Sequence, residues 1–369
     1  MNNGKDHKRI LIITDAWAPQ INGVVRTYEN LYNQLIEQGH TVKVISPADF
    51  RWQIPMPGYT EIDLVLLPNK KLSNMITRFK ADHIHIATEG PLGWAARRYC
   101  VNRKRAFTTA YHTQFPAYIS DRIKQSLPFM ATWSRKKTDQ VLKKFHAPSA
   151  GIIVTTDSLK HELIERGYKN PLHCMARGVP TELFHPGEKT EFKSLKKPVA
   201  LYVGRVAIEK NLEAFLKMNW EGSKVIVGKG PSLKDFKSQY KDAYFVGCKT
   251  GQELARFYRS ADLFVFPSLT DTFGLVIVEA ISSGIPVVAF DAMGPRDILS
   301  KPMLGTLAEG DNLTEAAEKA LNAPGTAQDR YEYAQRYYSW ESIARQFGDI
   351  LENCEEKGKN DTDRISRIA

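Results

Sequence analysis

Short apolar runs alternate with amphipathic stretches along most of the 369-residue chain. Arg9–Thr14 (RILIIT) reads as a buried first strand. Val24–Ile36 follows, with Val24, Tyr28, Leu31 and Leu35 at helical spacing and Gly39 as a stop signal. Thr41–Ser46 (TVKVIS) is the next strand. Asp63–Leu67, His83–Ile86, Phe107–Tyr111 and Ile152–Thr155 continue the series, with helical runs such as Ser158–Arg166 between some of them. This alternation predicts an α/β protein with parallel sheets covered on both faces.

The pattern stops at residues 184–198, a polar stretch with prolines near both ends that reads as a linker. It then restarts with strands at Val199–Val203 and Lys224–Val227 and a helix at Leu212–Met218. Thr250 and Glu253 resemble a capping box before Leu254–Tyr258. Leu263–Phe266 and Pro286–Phe290 are buried strands flanking a helix at Gly274–Ser283, and Tyr331–Cys354 is a late helical stretch. The expected organisation is a first Rossmann-like domain over 1–183, the linker 184–198, a second domain over 199–338, a helix over 339–354 and a polar tail over 355–369. A cleft at the carboxyl ends of such strands is the default ligand site.

Composition narrows the class. Hydrophobic residues make up 43% and charged residues 25%, which excludes wholesale disorder and fibrous architectures. No apolar run reaches the length of a bilayer span, and the polar start lacks a signal-peptide core. The four cysteines form neither a CxxC pair nor a zinc spacing, which suits a reducing, cytoplasmic setting. The net charge of +10 is localised: residues 70–145 hold 16 Lys/Arg against 4 Asp/Glu. Within that segment Arg122, Lys124, Trp133, Arg135, Lys136, Lys143, Lys144 and Phe145 mix basic and aromatic types. They suit an anionic membrane surface, and equally a solvated helix face. No nucleic-acid signature accompanies them, so no nucleic-acid partner is expected.

Four constellations can carry chemistry. In LTDTFGLVIVEAISSGIPVVA, Asp271 and Thr272 can cap a helix whose first turn holds Gly274, and Glu279 is isolated on an apolar helix. Helix N-termini suit anions, and a buried carboxylate needs donors. A plain capped helix explains the same residues. In YVGRVAIEKNL, Arg205 and Lys210 follow a strand end, placed to neutralise a diphosphate or simply to solvate a loop. WAPQINGVVRT brings Gly23 to a strand–helix turn without the GxGxxG of dinucleotide binders. His112 follows a strand in TAYHTQFPAY. Neither His83-x-His85 nor the DxD of Asp361 and Asp363 completes a ligand set, so no metal is expected.

Taken in order, the strand–GV loop, YHTxFPxY, RGVxTxxF, GRxxxEKN, GxGP, TDTFGLVxxEAxxSGxPVVA and SWE resemble the retaining glycosyltransferases of family 4 from about Arg9 to Leu351. The likeness is greatest to the α-mannosyltransferase and sulfolipid-synthase branch. It implies a GT-B fold of two Rossmann-like domains, with the last helix packing back on the first. It implies a nucleotide-sugar substrate, GDP-mannose or a UDP-sugar, and no cofactor. By motif position Arg205 and Lys210 would bind the diphosphate, with Gly204 in the same loop and Gly23 approaching from the first domain. Asp271 would contact the sugar, His112 would orient it, and backbone groups of Phe273, Gly274 and Leu275 would hold sugar and phosphate. Glu279 would bind the ribose, and the base would lie near Val246–Lys249, including Cys248. Asp271 and Pro180 depart from the family's usual Glu and Asp, and Lys229 stands in GKGP where an acidic residue is common.

The expected function is therefore hexosyl transfer to a hydroxyl of a lipid or glycan acceptor, by an enzyme peripheral to the inner face of the cell membrane. A GT-B nucleotide-sugar epimerase would use the same phosphate site without an acceptor. A non-catalytic anionic-lipid or nucleic-acid binding module would use only the basic surface.

Overall fold

The computed structural model describes residues 7–20, 23–56, 59–111, 128–271, 273–310 and 312–366, without the side chains of 55–63, 128–136 and 355–366. His112, Arg122, Lys124 and Thr272 lie outside the described residues, as do the side chains of Trp133, Arg135 and Lys136. The chain divides into two compact units. One comprises Met1–Thr155, Lys160–Met175 and Ala344–Ala369, the other Thr156–Leu159 and Ala176–Ile343.

The first unit runs β1 (Arg9–Ile13), α1 (Gly23–Glu37), β2 (Thr41–Ile45), β3 (Gln53–Met56), β4 (Tyr59–Val65), α2 (Asn69–Phe79), β5 (His83–Ile86), α3 (Pro91–Asn102), β6 (Thr108–Tyr111), α4 (Pro128–His146), β7 (Gly151–Val154), α5 (Asp157–Glu165, from Lys160 onward) and β8 (Leu172–Cys174). Its sheet, ordered β2-β1-β5-β6-β7-β8, is parallel throughout. β3 and β4 form a separate antiparallel hairpin. α1 buries Val25, Tyr28, Leu31 and Leu35, with Val25 rather than Val24 at the first inward position.

The second unit runs β9 (Val199–Val203), α6 (Leu212–Lys217), β10 (Ser223–Val227), α7 (Leu233–Gln239), β11 (Ala243–Gly247), α8 (Gly251–Ser260), β12 (Leu263–Phe266), α9 (Leu275–Ser282), β13 (Val287–Phe290), α10 (Met293–Ile298), β14 (Gly305–Ala308), α11 (Leu313–Leu321) and α12 (Ala327–Tyr338). All neighbours in its sheet are parallel, in the order β11-β10-β9-β12-β13-β14. The central strands are apolar on both faces because helices cover both, and two core clusters lie on them.

Several local expectations change. Residues 184–198 carry no helix or strand but lie in the second unit. Phe184 is buried, Phe192 packs edge-on against Phe257 and Lys189 pairs with Asp262. The late helix is two helices. Ser339 breaks it with extended backbone and bridges to Val179, and α13 (Trp340–Ser366) runs on through residues expected as a polar tail. Within the first unit, Phe347 of α13 packs edge-on against His85 and Cys354 lies 3.4 Å from His173. Phe145 is fully buried against Trp94, so it belongs to the core and not to a membrane-facing surface. Lys143 is half-buried and pairs with Asp139, while Lys144 is exposed.

Two buried groups of the first unit give it a defined pH dependence. His85 lies between the Tyr28 hydroxyl and Thr108 Oγ1, each 2.8 Å away, and burial pushes it down to about 3 from 6.5. Only the unfolded chain takes up that proton, so the His85 contribution is complete above pH 6.5 and fades as the pH falls towards 3. Asp15 is pushed up to about 6 from 3.8 by burial, against the lowering effect of Leu92, Thr88 and Gly93. Its contribution is complete below pH 3.8 and is lost as the pH rises through 6. The two slopes, each about 1.4 kcal/mol per pH unit at most, oppose each other between these values. Denaturant melts at pH 4 and pH 6 should show Asp15→Asn losing more stability on acidification than the parent, and His85→Gln losing less.

Candidate active site

The order of the second sheet places its topological switch point between β9 and β12, where neighbouring crossovers leave in opposite directions and open a crevice. The loops after these two strands carry the charged residues singled out above. Lys210 Nζ donates to both carboxylate oxygens of Asp271, at 2.6 and 2.9 Å, across that point. Both side chains are little more than a quarter exposed, so the pair sits at the mouth of the crevice.

Asn211 sets this geometry. It adopts left-handed backbone (φ 50°), and its side-chain amide donates to the Pro267 carbonyl at 3.1 Å. One residue thus ends the 3-10 turn Ile208–Lys210 and ties the β9 loop to the β12 loop. Asn tolerates the left-handed region better than most residues because its short polar side chain bonds locally. The Tyr202 hydroxyl donates to the Arg205 carbonyl at 2.9 Å and fixes the other side of the loop. Burial, then Asp271 and Glu209, hold that phenol well above its ordinary range. The Arg205 side chain is exposed and meets Glu209 at 3.1 Å.

The loops after β9, β10 and β11 are laced by their backbones. Gly204 N–H donates to the Val227 carbonyl, Val206 N–H to that of Lys229, and Gly228 N–H to that of Gly247. A Cβ on Gly228 would lie 1.8 Å from the Gly204 carbonyl oxygen, and one on Gly230 2.1 Å from that of Val206. The two glycines of GKGP therefore let the Arg205 loop lie directly on the next one.

At the end of β12, α9 starts at Leu275 with Gly274 as its cap residue (φ 91°) and no side-chain cap. Asp271 does not cap the helix as expected; its carboxylate is held by Lys210. The first turn and its dipole lie at the end of the β12 loop. Phe273 is buried and packs against Tyr338. Glu279 is half-buried and accepts a 2.8 Å hydrogen bond from the Tyr258 hydroxyl, which is itself fully buried. Its donor is thus partly supplied by the protein, where the sequence suggested a ligand. Thr250 also makes no side-chain cap, and Glu253 pairs with Lys249 instead of closing a capping box.

The second unit therefore brings together Gly204, Arg205, Lys210, Asp271, Phe273, Gly274 and Leu275 on the loops around one switch point, with Glu279 on the following helix. Val246 packs half-buried on the core, and Cys248 is exposed after β11. Gly23 opens α1 in the first unit. Sequence reasoning missed Tyr202, Asn211, Gly228 and Tyr258. Of these only Asn211, in EKN after a strand end, offers a local signal.

The corresponding place in the first unit is filled by the protein itself. Asp15, after β1, accepts from the Leu92 and Gly93 amides at the start of α3 and from the Thr88 hydroxyl after β5. A carboxylate already occupies the anion position there.

Comparison with known proteins identifies the family and the fold. Residues 21–183 match the family described as Glycosyltransferase Family 4, and residues 188–337 match Glycosyl transferases group 1. A GDP-mannose-dependent alpha-mannosyltransferase of Mycobacterium tuberculosis is 30% identical over 333 residues, covering 81% of this chain and 83% of that protein. An alpha-monoglucosyldiacylglycerol synthase of Streptococcus pneumoniae is 26% identical, covering 92% and 83%. Sulfoquinovosyl transferase SQD2 of Arabidopsis thaliana is 28% identical over 82% of this chain, a match that spans 63% of that protein's length. Among solved structures, the sucrose-phosphate synthase of Thermosynechococcus elongatus superposes with a TM-score of 0.65 at 19% identity, covering 94% of this chain and 99% of that one.

Proposed function

The chain belongs to glycosyltransferase family 4 and is a hexosyltransferase of GT-B fold, and on that premise we propose that it moves a hexose from a nucleotide diphosphate donor to a hydroxyl of a lipid or glycolipid acceptor. The observation that carries this reading is the Lys210–Asp271 pair across the switch point, beside the start of α9. Each group is the other's counter-ion. An entering diphosphate competes for Lys210 Nζ, and hydroxyls of the transferred sugar replace the lysine as donors to Asp271. As the glycosidic bond breaks, negative charge grows on the leaving phosphate oxygen. Lys210, the amides at the start of α9 and, once drawn from Glu209, Arg205 are the groups that would stabilise that charge. Glu279, oriented by Tyr258, accepts from the ribose.

This mechanism assigns the charge stabilisation to side chains and amides, so it operates without a bound metal or cofactor. The family resemblance supports retention of anomeric configuration. GDP-mannose is the first donor to test, followed by UDP-sugars, given the names of the relatives above. A membrane-surface acceptor accords with the basic segment 70–145 and with the diacylglycerol-glycosylating relative. No helix among the described residues is long and apolar enough to cross a bilayer, so a peripheral association is the form proposed.

The test is a panel of nucleotide sugars scored for thermal stabilisation, since a ligand that binds only the folded chain raises its midpoint. The stabilising donor is then incubated with and without lipid extract. Sugar appearing on lipid supports the proposal. Isomerised donor in the absence of acceptor would replace it with the epimerase reading.

Tyr258→Phe provides a finer check. Removing the hydroxyl deprives Glu279 of one buried donor, and hydrogen bonds to charged groups are worth about 1.5–3 kcal/mol. Nucleotide diphosphate binding should weaken by roughly tenfold on that basis. Unchanged affinity by calorimetry would remove Glu279 from the donor site.

A further inference from the structure

A second cationic feature of the second unit lies outside the residues assigned to the donor. α7 and the turn before it border an open groove of about 590 Å³, lined by Lys234, Lys237, Lys241 and Ser238 over a floor of Gly230, Pro231 and Leu233. Lys234 and Lys237 lie three residues apart on one side of α7, and Lys241, just past its end, borders the same groove. All three are exposed, and no carboxylate lines the groove.

In the same unit Lys189, Lys197, Lys210, Lys217, Lys249 and Lys319 each close an ion pair. Among the described residues none of the groove lysines has a carboxylate within ion-pair distance. Lys193, Lys196, Lys229 and Lys301 of this unit likewise close no ion pair among the described residues, so what sets the three apart is their grouping on one groove. Like charges at this spacing repel one another. An anion with several oxygens would relieve that repulsion and accept from more than one ammonium.

We propose that the Lys234–Lys237–Lys241 groove binds a phosphate-bearing anion, with the phosphate on the lysines and the carbon skeleton of the ester over Pro231 and Leu233. A lipid headgroup and a soluble phosphate ester share this chemistry. The site is separate from that proposed for the donor, although its floor abuts the same loop: Ser232 N–H donates to the Val206 carbonyl at 3.1 Å. It does not depend on the transferase reading.

The test removes the donor cations first. In full-length Arg205→Ala/Lys210→Ala protein, inorganic pyrophosphate is titrated by calorimetry, and flotation is measured on vesicles of phosphatidylglycerol and of phosphatidylcholine. Adding Lys234→Ala, Lys237→Ala and Lys241→Ala should weaken at least one anionic arm by roughly tenfold or more. The responding arm identifies the source of the phosphate. The loss should shrink as salt is raised, because the groove is open to solvent. A triple Lys→Arg variant should keep the binding, which separates charge from any folding defect. Equal binding by the triple-Ala variant and its parent in both arms, or no binding by the parent in either, would overturn the proposal.

Discussion

Lys210→Ala protein should fold normally and lose sugar transfer by roughly 100- to 1000-fold, the effect of removing one preorganised stabiliser of developing charge. The fold should survive because the ammonium is partly exposed and bonds one carboxylate at the mouth of the crevice, while the core strands β9 and β12 do not depend on it. Asp271 loses its counter-ion in this variant, so the site gains uncompensated negative charge where the proposal puts the diphosphate. Donor affinity and turnover should therefore fall together. Lys210→Arg should recover only part of the activity, because the longer planar guanidinium would hold Asp271 bidentately and does not place its charge where the compact ammonium does. Transfer assays with the stabilising donor, alongside a thermal melt, decide the matter. Full activity of the alanine variant would reject the role given to Lys210.

Gly228→Ala should cost about 3 kcal/mol of stability and also abolish donor binding. The new Cβ would lie 1.8 Å from the Gly204 carbonyl oxygen, at a backbone φ of 150° that L side chains rarely adopt. Its neighbour is backbone, so no side chain can swing away. Relief requires the Arg205 loop to lift from the Lys229 loop, breaking the bond from Gly204 N–H to Val227. Gly247→Ala is the control: it has φ 77° but nothing within 4 Å of an added Cβ. It should cost only the left-handed penalty of about 1–2 kcal/mol. Denaturant unfolding of both variants separates contact from conformation. Equal losses in the two would show that the close approach at Gly228 does not support the loop.

The sequence was most legible where burial on two faces leaves an uninterrupted apolar run. β1, β9, β12 and β13 are such runs, and their spacing by helical stretches implied the parallel order. β8 (LHC) and β14 (GTLA) are short edge strands of mixed composition, and their pairing is decided by the neighbouring strand rather than by their own pattern. Residues 184–198 read as a linker because polar residues outnumber the few that anchor it, chiefly Phe184 and Phe192. The break at Ser339 is invisible in a helical pattern that continues on both sides. It is made by long-range partners: the bridge to Val179, and Gly178 lying so close to the Trp340 ring that a Cβ would meet it at 2.5 Å.

The site shows the same division. Arg205, Lys210 and Asp271 were legible as charges just past strand ends, a local property. That Lys210 and Asp271 meet, 61 residues apart, depends on β9 and β12 being neighbours at the switch point. The support from Asn211, Tyr202 and Tyr258 is equally non-local. Phe145 illustrates the reverse error. Set among lysines, it looked like a membrane residue, but its helix turns it inward to Trp94 and His146.

The most direct measurement is a crystal structure of the chain with a nucleoside diphosphate bound. The phosphates should lie against Lys210 Nζ, the Arg205 guanidinium and the amides of residues 273–275, with the ribose on Glu279 and Lys210 drawn partly away from Asp271. A diphosphate bound elsewhere, with Lys210 still fully paired to Asp271 and Arg205 still on Glu209, would contradict the assignment.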